Sequence, residues 1–164
     1  MSLHIDDLKS SIGSPARVFL WDVAIPSLKI ASFQAQTSAL PGVDSTDMEL
    51  FYQGQAVKFP GSVEYSQEWT CEIAESEKGN VMTSLFGWRE RVFNQKNGKA
   101  GDIETVKEDV VIKALKSSDG TAWLTYKLHG VYPKSIGEVS LDRSANTDIL
   151  QWEIAFSYDW WEKI

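Results

Sequence analysis

A chain of 164 residues is the size of one domain, and with 43% hydrophobic residues, seven Trp, seven Phe and five Tyr it can bury a core, which excludes a disordered segment. The net charge of −7, from 16 basic and 23 acidic residues, argues against a protein that grips nucleic acid through a basic face. One cysteine, Cys71, allows no internal disulfide, and no window reaches the roughly 20 apolar residues of a membrane span.

The N-terminus, with Asp6 and Asp7 and no apolar run after a basic patch, does not read as a signal peptide, so a reducing, aqueous compartment is expected. Ser2 can cap a short helix that places Ile5, Leu8 and Ile12 on one side and ends at Gly13. A helix this short is unstable alone, so residues 1–15 read as an arm that docks on a neighbouring surface.

Arg17 to Ile25 alternates Phe19, Trp21, Val23 and Ile25 against Leu20, Asp22 and Ala24, as a mostly buried strand does. Pro26 and Ser27 turn the chain into a second strand, about Leu28 to Ala39, with Ser32, Gln34, Gln36 and Ser38 on an uncharged polar side. From Val43 to Gly61 the pattern loosens between two Pro-Gly bounds, and Phe51 and Tyr52 stand out on what reads as a projecting ribbon.

Ser62 to Ala74 alternates again, with Val63, Tyr65, Trp69, Cys71 and Ile73 inward, so Cys71 reads as a buried thiol. Glu64, Glu68, Thr70 and Glu72 point the other way. Glu75-Ser76-Glu77 opens the one long helix, capped by Ser76 and running to about Asn94, with Val81, Met82, Leu85, Trp88 or Arg89, Val92 and Phe93 on its apolar face.

Asp102 to Ser117 reads as a strand with Val106, Val110 and Ile112 inward. Ser118-Asp119-Gly120 turns it into Thr121 to Gly130, which carries Leu124, Tyr126 and Leu128 inward. After a turn at Ile136-Gly137, a final strand from Ile149 to Trp161 sets Leu150, Trp152, Ile154, Phe156, Tyr158 and Trp160 against Gln151, Glu153, Ala155, Ser157 and Asp159. Its length suits pairing beyond its own subunit. About seven strands and one flanking helix make a mainly β fold, a sandwich or barrel.

Catalytic constellations are mostly missing. His4 and His129 sit in no metal-binding spacing, and no G-x-S-x-G, P-loop or dinucleotide fingerprint occurs, so no catalytic, metal or cofactor residue is assigned. The row Glu64, Glu68 and Glu72, with Glu153 and Asp159 on another polar face, could in principle serve glycoside hydrolysis. The simpler reading is that these carboxylates solvate the wet side of a half-buried sheet. A small β-sandwich protein that cleaves or binds glycans is thus one alternative. The stronger pattern is organisational: strands with full wet and dry faces, an arm and a ribbon suit assembly, in which edges pair with identical neighbours and close a ring.

Four blocks resemble the tail tube protein family of contractile-tailed, T4-like bacteriophages over nearly the whole chain. They are Ala16 to Ile25; Ser38 to Gly42; Phe59-Pro60-Gly61 with Glu68-Trp69 and the helix containing Phe86-Gly87-Trp88; and Gly130 to Asp142 followed by Ile149 to Trp161. Tyr132 stands where that family commonly has Trp.

The resemblance implies a single tube domain over residues 1–164, shared with secretion-system tube proteins, with six subunits per ring, inner sheets joined into one β-barrel, and rings stacked inside a contractile sheath. It implies a place in the virion tail after assembly in the host cytoplasm. The implied partners are further copies of the chain, the tail sheath protein, baseplate and tail terminator proteins, and double-stranded DNA passing through the lumen without sequence-specific binding. No cofactor and no membrane anchor are implied. Lumen-lining candidates are Gln34, Gln36, Glu68, Thr70, Glu72, Glu153 and Ser157. Residues 43–61 match the ring-stacking segment, with Met48, Leu50, Phe51 and Tyr52 as contacts between rings, and Leu3, Ile5, Leu8 and Ile12 form the inter-subunit arm. The alternative within the same class is the inner tube of a contractile injection system delivering protein effectors.

Overall fold

The computed structural model describes residues 5–29 and 34–164. Helix α1 (Ile5–Ile12) is followed by β1 (Trp21–Ala24), a 3-10 turn at Pro26–Leu28, and β2 (Ala35–Ser38). Next come the hairpin of β3 (Val43–Tyr52) and β4 (Gln55–Tyr65), then β5 (Glu68–Ala74) and helix α2 (Asn80–Val92). The two-residue strands β6 (Phe93–Asn94) and β7 (Lys99–Ala100) and the helical turn α3 (Ile103–Val106) lead to β8 (Glu108–Leu115), β9 (Ala122–Ile136), β10 (Gln151–Ser157) and β11 (Trp160–Lys163).

The long strand β9 joins two layers. Its first part pairs with β8 and β11 and its last part with β10. One layer therefore runs β1-β8-β9-β11 and the other β9-β10-β5-β2, with every neighbour antiparallel. The change of layer falls at Gly130, whose φ of 69° favours glycine and where a Cβ would overlap the Asp159 carboxylate. Lys107 Nζ holds both oxygens of that carboxylate at 2.9 Å.

Both layers close on one core. Val23, Ile112 and Leu128 from the first meet Trp69, Ile73, Ile154 and Phe156 from the second, and α2 adds Val81, Leu85 and Trp88. Trp69 stacks on Phe156 with ring centroids 5.1 Å apart, and Trp88 leans on the same ring at 5.9 Å. The buried Trp88 indole donates to the Val106 carbonyl at 2.8 Å, which satisfies its one polar atom.

The helix begins five residues later than the sequence suggests, and Glu75, not Ser76, supplies the acceptor at its start. The Glu75 carboxylate accepts the N–H groups of Ser76, Val81 and Met82 and the Trp152 indole N–H. Burial alone would raise its pKa, but these hydrogen bonds outweigh burial and hold it below the usual carboxylate range. A carboxylate at this end is also favoured by the helix dipole.

Other expectations are corrected where the chain changes partner. The strand expected from Arg17 starts at Trp21, leaving Phe19 68% exposed. The Asp102–Ser117 strand begins with the α3 turn, which buries Val106, and the strand expected to stop at Gly130 continues to Ile136. Val63 is exposed because it belongs to the β3–β4 hairpin. A break at Gln67, with φ of 56°, separates that hairpin from β5. The terminal block splits at Tyr158-Asp159: Tyr158 is buried, Trp160 turns outward against His129, and Trp161 packs on Tyr126 at 4.6 Å. Of the expected second strand, residues 30–33, including Ser32, lie outside the described residues.

Candidate assembly surfaces

The wet face of the β9-β10-β5-β2 layer gathers most of the candidate lining residues. Antiparallel register puts Glu153 opposite Glu72, Ala155 opposite Thr70 and Ser157 opposite Glu68. The same alternation sends Trp69, Cys71, Ile73, Ile154 and Phe156 into the core, so the wet face is a consequence of the dry one. Burial, with the Glu72 charge adding, pushes the Cys71 thiol up to about 12, so it stays protonated.

Two like charges sit opposite each other at Glu72 and Glu153, a pairing that costs stability in a ladder. Thr37 relieves part of it by donating to the Glu72 carboxylate at 2.9 Å. Period-two counting puts Thr37 on the smaller, more apolar side of this strand, away from Gln36 and Ser38, and the structure corrects that by setting it against Glu72. A bulge between Ala35 and Thr37 shifts the pairing by one residue, and period-two counting does not register such a shift. Gln36 lies exposed at that bulge and lines a groove with Arg17 to Trp21, while Gln34 precedes β2 and is half-buried. Lys134 at the end of β9 binds Glu68 at 2.8 Å, and the Glu68 carboxylate raises the Lys134 pKa.

The layer's outer strand on one side is β2, and on the other is the Pro133–Ile136 end of β9, where the Arg89 guanidinium reaches the Lys134 carbonyl at 3.5 Å. The expectation that the last long strand pairs beyond the subunit is corrected for β10, because both its edges are taken by β5 and β9. In the other layer the outer strands are β1 and β11.

The ribbon is a two-stranded hairpin closed at Gln53-Gly54, whose φ values of 50° and 79° suit a two-residue turn that follows the strand twist. The ten residues of β3 reach roughly 33 Å at about 3.3 Å each. Register divides its sides: Met48 faces Phe59 and Leu50 faces Val57 on one, while Glu49 faces Lys58 and Phe51 faces Ala56 on the other. Lys58 bridges Asp47 at 3.6 Å and Glu49 at 3.5 Å on the polar side. Met48, Leu50 and Tyr52 thus share a side, Phe51 projects from the opposite one near the tip, and all four are exposed, Leu50 at 62% and Phe51 at 73%. Pro60 pairs with Asp47 beside a bulge, and Gly61 is needed there because a Cβ would meet the Thr46 carbonyl at 2.5 Å.

In α1, Ile5, Leu8 and Ile12 are all exposed. Leu3 lies outside the described residues. Among the described residues, no group of three or more His, Cys, Asp or Glu is placed to hold a metal ion, and no helix is long and apolar enough to cross a membrane.

A family model described as phage tail tube protein matches residues 12–163. The chain belongs to that family. Tail tube protein gp19 of Enterobacteria phage T4 is 22% identical over 98% of this chain and all of the relative, and its counterpart from phage T6 is 23% identical over the same shares. Among solved structures, the fold is similar to the sheath/tube terminator of an extracellular contractile injection system, with a TM-score of 0.67 and 20% identity over 92% of this chain and 96% of that one. It is also similar to a chain of the sheath–tube complex of such a system, with a TM-score of 0.64 and 18% identity over 99% of both chains. This tail tube protein is therefore a structural subunit of a phage tail, built on the fold those assemblies use.

Proposed function

We propose that copies of this tail tube protein close into six-membered rings with the β9-β10-β5-β2 layer turned inward, and that the stacked rings conduct double-stranded DNA. The observation that supports this is the wet face of that layer: among the described residues, Glu68, Glu72 and Glu153 stand on it, with the Lys134 ammonium engaged by Glu68. A wall of that charge offers phosphates no counterion-releasing site, so DNA slides along it without being held. The outer edge of β2 pairs with the Pro133–Ile136 end of β9 in the next copy, which removes both open edges. The β3–β4 ribbon buries Met48, Leu50 and Tyr52 against the adjoining ring, and Phe51 anchors the tip.

The tail sheath, baseplate and tail terminator proteins are the further partners of this cylinder. The role is structural, and the wet-face glutamates shape the bore without turning over a substrate. The glycan reading is disfavoured by the family match, and Trp69 and Trp88 are core residues that offer no stacking face. The effector-tube alternative is disfavoured by the family match and by relatives from phages T4 and T6.

Replacing Glu72 and Glu153 together by Lys tests the bore directly. Assembly of full-length tails with at least a tenfold drop in DNA delivery is the expected result, and normal delivery would overturn the inward placement of this face.

A further inference from the structure

Besides the β3–β4 ribbon, two further apolar surfaces among the described residues are left uncovered, and three residues join them. One is the face of α1 formed by Ile5, Leu8 and Ile12, in a helix none of whose residues is buried. Eight residues are too few to hold a helix in water, so this face requires a partner surface. The other is a groove of about 680 Å³ where β1 and β8 diverge from β2. Val18, Phe19, Leu40 and Trp123 line it, and Val18 is 96% exposed although β-branched and apolar. A trough of about 370 Å³ running from Pro15 to Trp123 extends it toward the arm.

Charge matches across the two surfaces. The first turn of α1 carries Asp6 and Asp7, while Arg17 and Lys113 line the groove and Lys116 the trough. Gly13, with φ of 61°, ends the helix, and the link Gly13-Ser14-Pro15 spans about 10 Å at most. The arm is therefore delivered beside a groove of this kind while its own apolar face points elsewhere. A hinge this short hinders the arm from folding back onto its own chain, the condition under which identical elements exchange between adjacent copies.

We propose that α1 of one copy seats in the Val18–Trp123 groove of the next, with Leu8 at the centre of the contact and Asp6 and Asp7 toward Arg17 and Lys113. This deepens the tube reading, on which it rests only for placing copies side by side. Each subunit then gives an arm and receives one, and the ring is latched at a site separate from the β2 edge.

The test is disulfide trapping, for which the buried and protonated Cys71 is silent. Chains carrying Leu8→Cys and Leu40→Cys are mixed, allowed to assemble and oxidised. A cross-linked heterodimer in at least tenfold excess over the product of either chain alone is expected, and adding Phe19→Asp to the Leu40→Cys chain should remove it. Because Phe19 and Leu40 are exposed in the subunit, circular dichroism and melting of these variants should match the parent. Hollow rods without the cross-link, or a doubly substituted chain that closes only on itself, overturn arm exchange and leave the tube reading standing. A persistent monomer overturns both.

Discussion

The β3–β4 ribbon and the β5–β10 pair are both long antiparallel ladders with apolar residues collected on one side, yet they meet opposite fates. In β5–β10 the apolar side, Trp69, Cys71, Ile73, Ile154 and Phe156, is covered by α2 and by the opposing layer. In the ribbon the corresponding side, Met48, Leu50, Val57 and Phe59, faces solvent. Alternation thus specifies a strand and its faces, while the presence of a covering layer decides whether the apolar face stabilises the subunit or waits for another. The first ladder makes the fold; the second makes the assembly.

Truncation should separate the two ladders sharply. Phe156→Ala opens a cavity beneath Trp69 and Trp88 and should cost about 3–5 kcal/mol in denaturant unfolding. Leu50→Ala, by contrast, should cost under about 0.5 kcal/mol in the same measurement while slowing tube growth. Equal costs at the two sites would mean that the ribbon's apolar side stabilises the subunit as the β5–β10 side does. Charge sharpens it further: Leu50→Asp, and more weakly Phe51→Asp at the tip, should leave the subunit's melting unchanged and abolish ring stacking in sedimentation and negative-stain images.

A smaller effect is expected at the joint between the layers. Gly130→Ala combines a left-handed φ with a clash on Asp159, and about 1–3 kcal/mol should be lost, a fall of roughly 2–12 °C in Tm. Smaller than at the joint is the effect at the helix start. Because the folded-state pKa of Glu75 is depressed, its contribution is present above its unfolded value and lost as pH falls through the folded one. Glu75→Gln should therefore destabilise at neutral pH by about 0.5–2 kcal/mol and flatten the acid limb of the stability profile.

Much of this was legible from period-two alternation. Trp69, Cys71 and Ile73 against Glu68, Thr70 and Glu72 settle both faces of β5 without knowledge of its neighbours, and the 43–61 ribbon showed through its Pro-Gly bounds. What alternation cannot carry is a change of partner. Tyr158-Asp159 reads as the continuation of one strand, but there the chain crosses between layers and reverses which side Trp160 and Trp161 take. Thr37 was missed for the same reason, since the bulge beside it inserts a residue that the pattern counts as regular. Pro60 reads as a terminator, and β4 passes through it because a two-stranded ribbon has open outer edges that tolerate a missing N–H. Glu75 stands at the helix start in the sequence reading, but the cap goes there to Ser76, because the acceptor is set by how the chain folds back from β5 onto α2.

The most direct measurement is a cryo-electron microscopy reconstruction of tubes assembled from the purified chain. The expected result is a hollow cylinder in which Glu72 and Glu153 face the bore and the outer edge of β2 hydrogen-bonds to the Pro133–Ile136 end of β9 in the neighbouring copy. A cylinder with those carboxylates on its outer wall, or with β2 left unpaired at the subunit junction, would contradict it.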